Sequence, residues 1–209
     1  MTLPESYFED VYAANVDPWN FRSSPYEAAK YDRTLAALPR LHYARALEVG
    51  CSIGVLTSRL AARAEELIAV DMSERALAQA RRENADRPNV TFERRQLPHD
   101  LPRGPFDLIV LSEVLYYLSP EDLERALDAV LARLVPGGTL LLVHWTPHVH
   151  DYPQTGDAVH AATLARVGHG LCHRHAERHG DRREGYRLDV FERTAPCRLG
   201  DRGMGRSGR

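Results

Sequence analysis

Glu48, Gly50 and Gly54 form the pattern in this chain that most plainly asks for a ligand. They lie in Ala-Leu-Glu-Val-Gly-Cys-Ser-Ile-Gly, residues 46–54, with a helical pattern starting at Val55. An apolar run, an acid, two glycines and a helix read as strand, tight loop, helix. Glycines let the backbone turn sharply and approach a ligand closely. The start of the helix turns unpaired N–H groups into the same space. The Gly-x-Gly-x-x-Gly spacing built for a pyrophosphate is absent. Glu48 would repel phosphate and attract a cation, so a ligand carrying an ammonium, a carboxylate and a ribose suits the loop. Asp71 ends the next apolar run, 21 residues after Gly50. That is where an acid can accept from ribose hydroxyls. Ser73 is the better helix cap at that point.

A second group of reactive side chains follows later. Glu113 and His144 stand just after or near the end of two apolar runs, Phe106–Ser112 and Leu140–Trp145. If these are adjacent parallel strands, both residues lie on the ligand-binding edge of the sheet. Either could orient an acceptor or take its proton, and His144 has a suitable unperturbed pKa. Tyr116 and Tyr152 could hydrogen-bond or stack on a ligand, and Asp151 could hold a cationic amine. His144, His148 and His150 with Asp151 would bind metal only if the backbone folded to converge them, so no metal is expected. His169, His173, His175 and His179 read as a solvated row along one strand face.

The elements that must position these groups alternate in type. A short helix over residues 5–15 carries Tyr7, Phe8, Val11 and Tyr12 on one side. An aromatic segment, Asp17-Pro18-Trp19-Asn20-Phe21, leads to a second helix opened by Ser24-Pro25-Tyr26-Glu27, a capping box with proline at the first position. These make a helical lid over residues 1–40. Residues 44–194 then give strands at Arg45–Val49, Glu66–Asp71, Val90–Arg95, Phe106–Ser112 and Leu140–Trp145. Helices run between them over Val55–Ala64, Glu74–Asn84 and Ser119–Leu134. Such alternation implies an α/β, doubly wound parallel sheet. After a helix from Asp157 to Arg166, Leu171–His179 and Tyr186–Arg193 read as a closing antiparallel hairpin. The Gly/Arg-rich tail from Ala195 is expected to be disordered.

The composition narrows the class. The 209 residues, 44% hydrophobic and 27% charged, suit one domain over 1–194. A net charge of −2 gives no field toward nucleic acid or anionic membrane. No apolar run nears the roughly 20 residues of a membrane span, and no signal-peptide pattern opens the chain. Three cysteines without metal-like spacing suit a reducing cytoplasm.

Glu48-x-Gly50-x-x-x-Gly54 with Asp71, and Leu134-x-Pro136-Gly137-Gly138-x-Leu140, resemble the class I S-adenosylmethionine-dependent methyltransferases. More narrowly, several segments resemble the nodulation-type (NodS-like) N-methyltransferases. They are Asp17-Pro18-Trp19 with Pro25-Tyr26-Glu27, Ala46–Cys51, and Leu108-Ile109-Val110 with Glu113-Val114-Leu115-Tyr116-Tyr117-Leu118. The likeness covers roughly residues 8–145. Two positions depart from the class pattern. Ser52 replaces the middle glycine of the loop, and Gln96 stands where an acid often faces the adenine amino group. The resemblance implies a Rossmann-like sheet of seven strands with the hairpin as strands six and seven. It implies S-adenosylmethionine as cofactor, S-adenosylhomocysteine as product, and a cofactor site made of Trp19, Glu48, Gly50, Cys51, Ser52, Gly54, Asp71, Met72, Gln96, Leu97 and Ser112. Catalytic roles fall to His144, Glu113 and Tyr116. The expected acceptor is a small-molecule amine, sugar-like in the nodulation members. O-methylation of a hydroxylated metabolite, with His144 as base, and a non-catalytic binding domain are the alternatives.

Overall fold

The computed structural model describes residues 1–181 and 184–194. The tail expected to be disordered lies outside these residues. Seven strands form one sheet: β1 (Tyr43–Val49), β2 (Ala64–Asp71), β3 (Val90–Arg94), β4 (Phe106–Ser112), β5 (Leu134–Trp145), β6 (Leu171–Gly180) and β7 (Gly185–Arg193). Their order is β3-β2-β1-β4-β5-β7-β6. The first five are parallel, and β7 pairs antiparallel with both β5 and β6. This is the doubly wound sheet with a C-terminal hairpin that the sequence implies.

The core explains the apolar runs. Leu108 and Val110 of β4 face one layer, while Phe106, Ile109 and Leu111 face the other, and all are fully buried. A parallel strand covered on both faces has no polar side, so it reads as continuous rather than alternating. One layer contains Leu123, Ala126, Leu127 and Val130 of α5 (Pro120–Arg133) and Val159 of α6 (Gly156–Leu164). The other contains Tyr31 of α2 (Pro25–Ala36) with Leu56 and Leu60 of α3 (Val55–Leu60). Among the described residues no helix is long and apolar enough to cross a membrane.

Helix starts follow their sequence signals. The hydroxyls of Ser24, Ser73 and Ser119 accept from the backbone N–H three residues on, at the starts of α2, α4 (Glu74–Glu83) and α5. Two boundaries differ from expectation. The helix after the glycine loop is only α3, followed by a 3-10 turn at Ala61–Arg63. The Pro136-Gly137-Gly138 turn is not a separate link but an excursion within β5: Phe106 pairs with Leu134, and Leu108 already pairs with Thr139. Gly137 has φ +77°, which a side chain would resist.

The N-terminal segment lies across the carboxyl ends of the strands. Thr2 Oγ1 donates to Asp122 at 2.5 Å and Leu3 N–H to Tyr117 O at 2.9 Å. On α1 (Glu5–Ala14), Glu9 accepts from the Glu74 N–H at 2.8 Å, Glu5 pairs with Arg94, and Tyr12 bonds to Ser52.

Candidate active site

A cavity of about 310 Å³ opens at the carboxyl ends of β1, β2, β4 and β5, under α1, α2 and the aromatic segment between them. Open α/β sheets bind ligands at this edge, where the strand order reverses between β1 and β4.

The loop after β1 forms one wall. Gly50 has φ +80°, and a Cβ there would stand 3.1 Å from Val114 Cβ, so the backbone passes close to the neighbouring loop. Ser52 also adopts a positive φ, +51°. This conformation costs an L-residue energy. Two contacts hold it: Ser52 N–H donates to Asp71 Oδ2 at 2.9 Å, and Tyr12 OH donates to Ser52 Oγ at 2.5 Å. The departure from glycine thus links the loop to α1. Gly54 does not line the cavity. A Cβ there would meet Asn84 Nδ2 at 2.6 Å and Ala80 Cβ at 3.1 Å, so this glycine serves the packing of α4.

Glu48 lines the cavity and is 1% exposed, and its Oε2 has no hydrogen-bond partner. Burial pushes its pKa up to about 8. An unpaired buried carboxylate is costly unless a cation meets it. Asp71 is anchored through Oδ1 by the Ser73 N–H at 2.9 Å and through Oδ2 by Ser52. Burial holds its pKa above the ordinary value, and the backbone donors of Ser73, Ser52 and Met72 offset that only in part. Each oxygen keeps a lone pair for a hydroxyl donor. Trp19, Cys51, Met72, Leu97 and Ser112 line the same cavity, with Gln96 at its exposed rim. The residues fit an adenosine-bearing ligand with a positive end.

The far end of the cavity is built around Glu113, whose φ is +55°. Its Oε1 accepts from Lys30 Nζ at 2.7 Å, and its Oε2 from Tyr116 OH at 2.7 Å and Trp145 N–H at 2.8 Å. Lys30, the single lysine of the chain, also bonds Glu27 at 3.0 Å and is 2% exposed. Burial alone would lower its pKa; Glu113 and Glu27 outweigh that and hold it above the ordinary value. Two carboxylates thus share one ammonium beside the cavity. Burial, and then Glu113, push the Tyr116 hydroxyl well above its usual pKa, so it donates rather than ionises. Tyr116 stacks on Tyr152 with ring centroids 5.1 Å apart and planes 18° apart.

His144 is not at the cavity. It is fully buried, and its Nε2 accepts from the Leu115 N–H at 3.2 Å. Burial, and then His160, hold its pKa well below the ordinary value. A ring whose free lone pair is taken by a backbone donor cannot remove an acceptor's proton, so the base role expected for His144 does not stand. The other histidines disperse. His150 has a side chain 96% exposed and bonds exposed Asp151 at 3.2 Å, so neither reaches the cavity. His173 leaves the expected solvated row: its Nε2 lies 2.7 Å from Asp189, which is fully buried. Neither Lys30 nor Glu27 was expected at the site from sequence. Their signal was a single lysine three residues after the capping glutamate of α2, a spacing that puts both on one helix face.

A profile described as "Nodulation protein S (NodS)" matches residues 9–152. The chain belongs to the NodS family. The matched stretch runs from within α1 to Tyr152 and takes in the glycine loop, Lys30 and Glu113. Nodulation protein S of Rhizobium tropici is 32% identical over 127 residues, 60% of this chain and 53% of that protein's length. The chain thus spans about half of that NodS relative. A putative methyltransferase structure from Pseudomonas syringae is 39% identical, with a TM-score of 0.67 over 80% of this chain and 99% of that one. The N-methyltransferase NodS of Bradyrhizobium japonicum WM9, solved with S-adenosyl-L-homocysteine, superposes with a TM-score of 0.80 at 23% identity, over 90% of this chain and 98% of that one. At that identity the likeness is one of fold.

Proposed function

We propose that the chain transfers the methyl group of S-adenosylmethionine to an amine of a small acceptor and releases S-adenosylhomocysteine. When bound, the sulfonium supplies a methyl group open to in-line displacement. Glu48 meets the ammonium of the methionine end. Asp71 would accept from the ribose, Gln96 and Leu97 would flank the adenine, and Trp19, Met72 and the 50–52 loop would enclose the rest. The chain's main contribution is proximity and orientation, which can lower such a barrier by roughly 7–11 kcal/mol at best.

One observation carries the choice of acceptor: Glu27 and Glu113 share the one ammonium of Lys30, so the acceptor end of the cavity holds more acidic than basic groups, with burial raising the Glu27 carboxyl above its ordinary pKa. As an amine attacks, positive charge passes from sulfur to nitrogen, and that excess favours the nitrogen cation. An alcohol would need a base within reach, and His144 is committed to Leu115. Glu113 orients the acceptor with a carboxylate oxygen fixed by Lys30, Tyr116 holds the other Glu113 oxygen, and half-buried Tyr152, backed by Tyr116, adds an aromatic surface to the cavity. The N-methyltransferase description of the Bradyrhizobium japonicum structure agrees with this reading. Free Cys51 and Cys172 suit a reducing cytoplasm.

Matched amine and alcohol acceptors should be compared by S-adenosylhomocysteine release, with calorimetry of S-adenosylmethionine alongside. We expect turnover of the amine and loss of at least tenfold in kcat/KM for Glu113→Gln, in line with removal of a group oriented toward the transition state. Faster turnover of the alcohol would overturn the acceptor assignment, and absence of binding at millimolar cofactor would overturn the whole reading.

A further inference from the structure

We propose that His144, His160 and Asp189 form a buried positioning chain that holds the loop after β4 in place for transfer. It acts through backbone geometry and not on the acceptor.

The direction of the chain follows from one backbone group. The Leu115 N–H donates to His144 Nε2 at 3.2 Å, so that nitrogen carries no proton. Neutral His144 then holds its proton on Nδ1, which faces His160 Nε2 at 3.1 Å. His160 must accept there and carry its own proton on Nδ1, which lies 2.5 Å from Asp189 Oδ2. Both rings are therefore Nδ1–H tautomers. His144, His160 and Asp189 are all fully buried. Such groups are tolerated inside a protein only when each is satisfied, and every nitrogen of both rings has a partner.

The far end is anchored twice more. Asp189 accepts from Arg187 Nε at 2.6 Å, and His173 Nε2 lies 2.7 Å from its Oδ1. Burial would raise the pKa of Asp189; bonds from His160 and Arg187 outweigh that and keep it ionised. The groups facing the chain are thus Arg187 on β7, His173 on β6 and Asp157 on α6, with Lys30 on α2 the charge felt by His144.

The near end holds the working loop. Residues 143–145 clasp residues 113–115 three times. Glu113 N–H donates to Val143 O at 2.9 Å, Leu115 N–H to His144, and Trp145 N–H to Glu113 Oε2. Glu113 has a φ of +55°, a strained conformation that persists only when its surroundings over-determine it. His144 supplies the middle bond of that clasp. His160 and Asp189 lie beyond residue 152, where the NodS profile match ends, so this support is built by α6 and the C-terminal hairpin.

Long-range proton–nitrogen NMR on the uniformly labelled full chain tests the chain directly and independently of turnover. Two histidine rings should show the Nδ1–H tautomer and no titration from about pH 6 to 9, around the ordinary histidine value. An Nε2–H tautomer at either ring, or a normal titration, overturns the proposal. The kinetic arm rests on the methyl-transfer reading. His144→Gln keeps an acceptor for Leu115, and His144→Leu does not. We expect His144→Leu to lose roughly tenfold or more in kcat, with acceptor KM and cofactor affinity within about threefold, and His144→Gln to regain most of it. The inflections of the pH profile should be those of the wild type in both variants. A general base would make both variants equally poor, by about 100-fold or more, and remove one limb of the profile. That outcome overturns positioning. Failure of the wild type to bind cofactor would overturn the functional reading and leave the tautomer result standing. Should His144→Leu fail to fold, the tautomers and the His144→Gln profile still decide.

Discussion

Glu48 shows how one residue couples ligand, proton and stability. Its carboxyl is buried with a free oxygen, and its pKa is pushed up to about 8. A cation from the ligand favours the ionised form, so binding below pH 8 must release a proton. Cofactor affinity should rise with pH by up to about tenfold per unit and level off above pH 8. Calorimetry in buffers of different ionisation enthalpy should count one proton released at pH 7, and Glu48→Gln should abolish the dependence. The free protein carries the opposite slope. Between the ordinary carboxyl value of 4.5 and about 8, the folded chain holds this proton and the unfolded chain does not. Its contribution to stability is complete below 4.5 and is lost as pH rises to 8. Lys30 is the counterpart at the other end of the cavity: an ammonium that two acids hold in its charged form so that Glu113 keeps one orientation.

The elements owe their placement to small residues and to side chains that bridge them. Gly54 lets α3 start against α4, and Asn84 Nδ2 donates to its carbonyl at 3.2 Å. Gly54→Ala combines a φ of +82° with a clash against Asn84, so it should cost about 1–3 kcal/mol in urea denaturation. It should do so without removing any group from the cavity. A change below 0.5 kcal/mol would mean that α4 moves aside at no cost. Helix α1 is held at several points, through Glu5, Glu9 and Tyr12. Ser52 is the contact that joins it to the glycine loop, which accounts for a serine where the class pattern has glycine.

At the scale of the molecule, one sheet carries both ends of the cavity, so ligand binding should stabilise the whole. S-adenosylhomocysteine at about 100 times its Kd should add about 2.7 kcal/mol. For a chain of this size that is a rise of roughly 5–10 °C in Tm. Hydrogen exchange should slow in α1 and in residues 50–54 together, because Tyr12 joins them. Slowing in the loop alone would show the lid to be independent of the ligand. Much of this was legible in the sequence, for local reasons. Apolar runs with acids and glycines at their ends named five parallel strands and the loop, serine and proline named the helix starts, and alternation named the hairpin. Those signals span a few residues each, so Glu48, Asp71 and Glu113 could be named before any fold was known. The partners could not. Lys30 meets Glu113 from 83 positions away, Tyr12 meets Ser52 from 40, and Asp189 meets His160 from 29. His144 shows the limit most clearly. Its strand-end position and ordinary pKa suggested a base, but which way its ring turned, and that Leu115 would occupy it, depended on β5 lying beside the loop after β4. The sequence by itself determined the sheet, the loop and the acids that face a ligand, because each is a local pattern of polarity and backbone freedom. Only the tertiary structure decided which charges are paired, which carboxylate is left free and which histidine is taken, because those depend on burial and on neighbours distant in the chain.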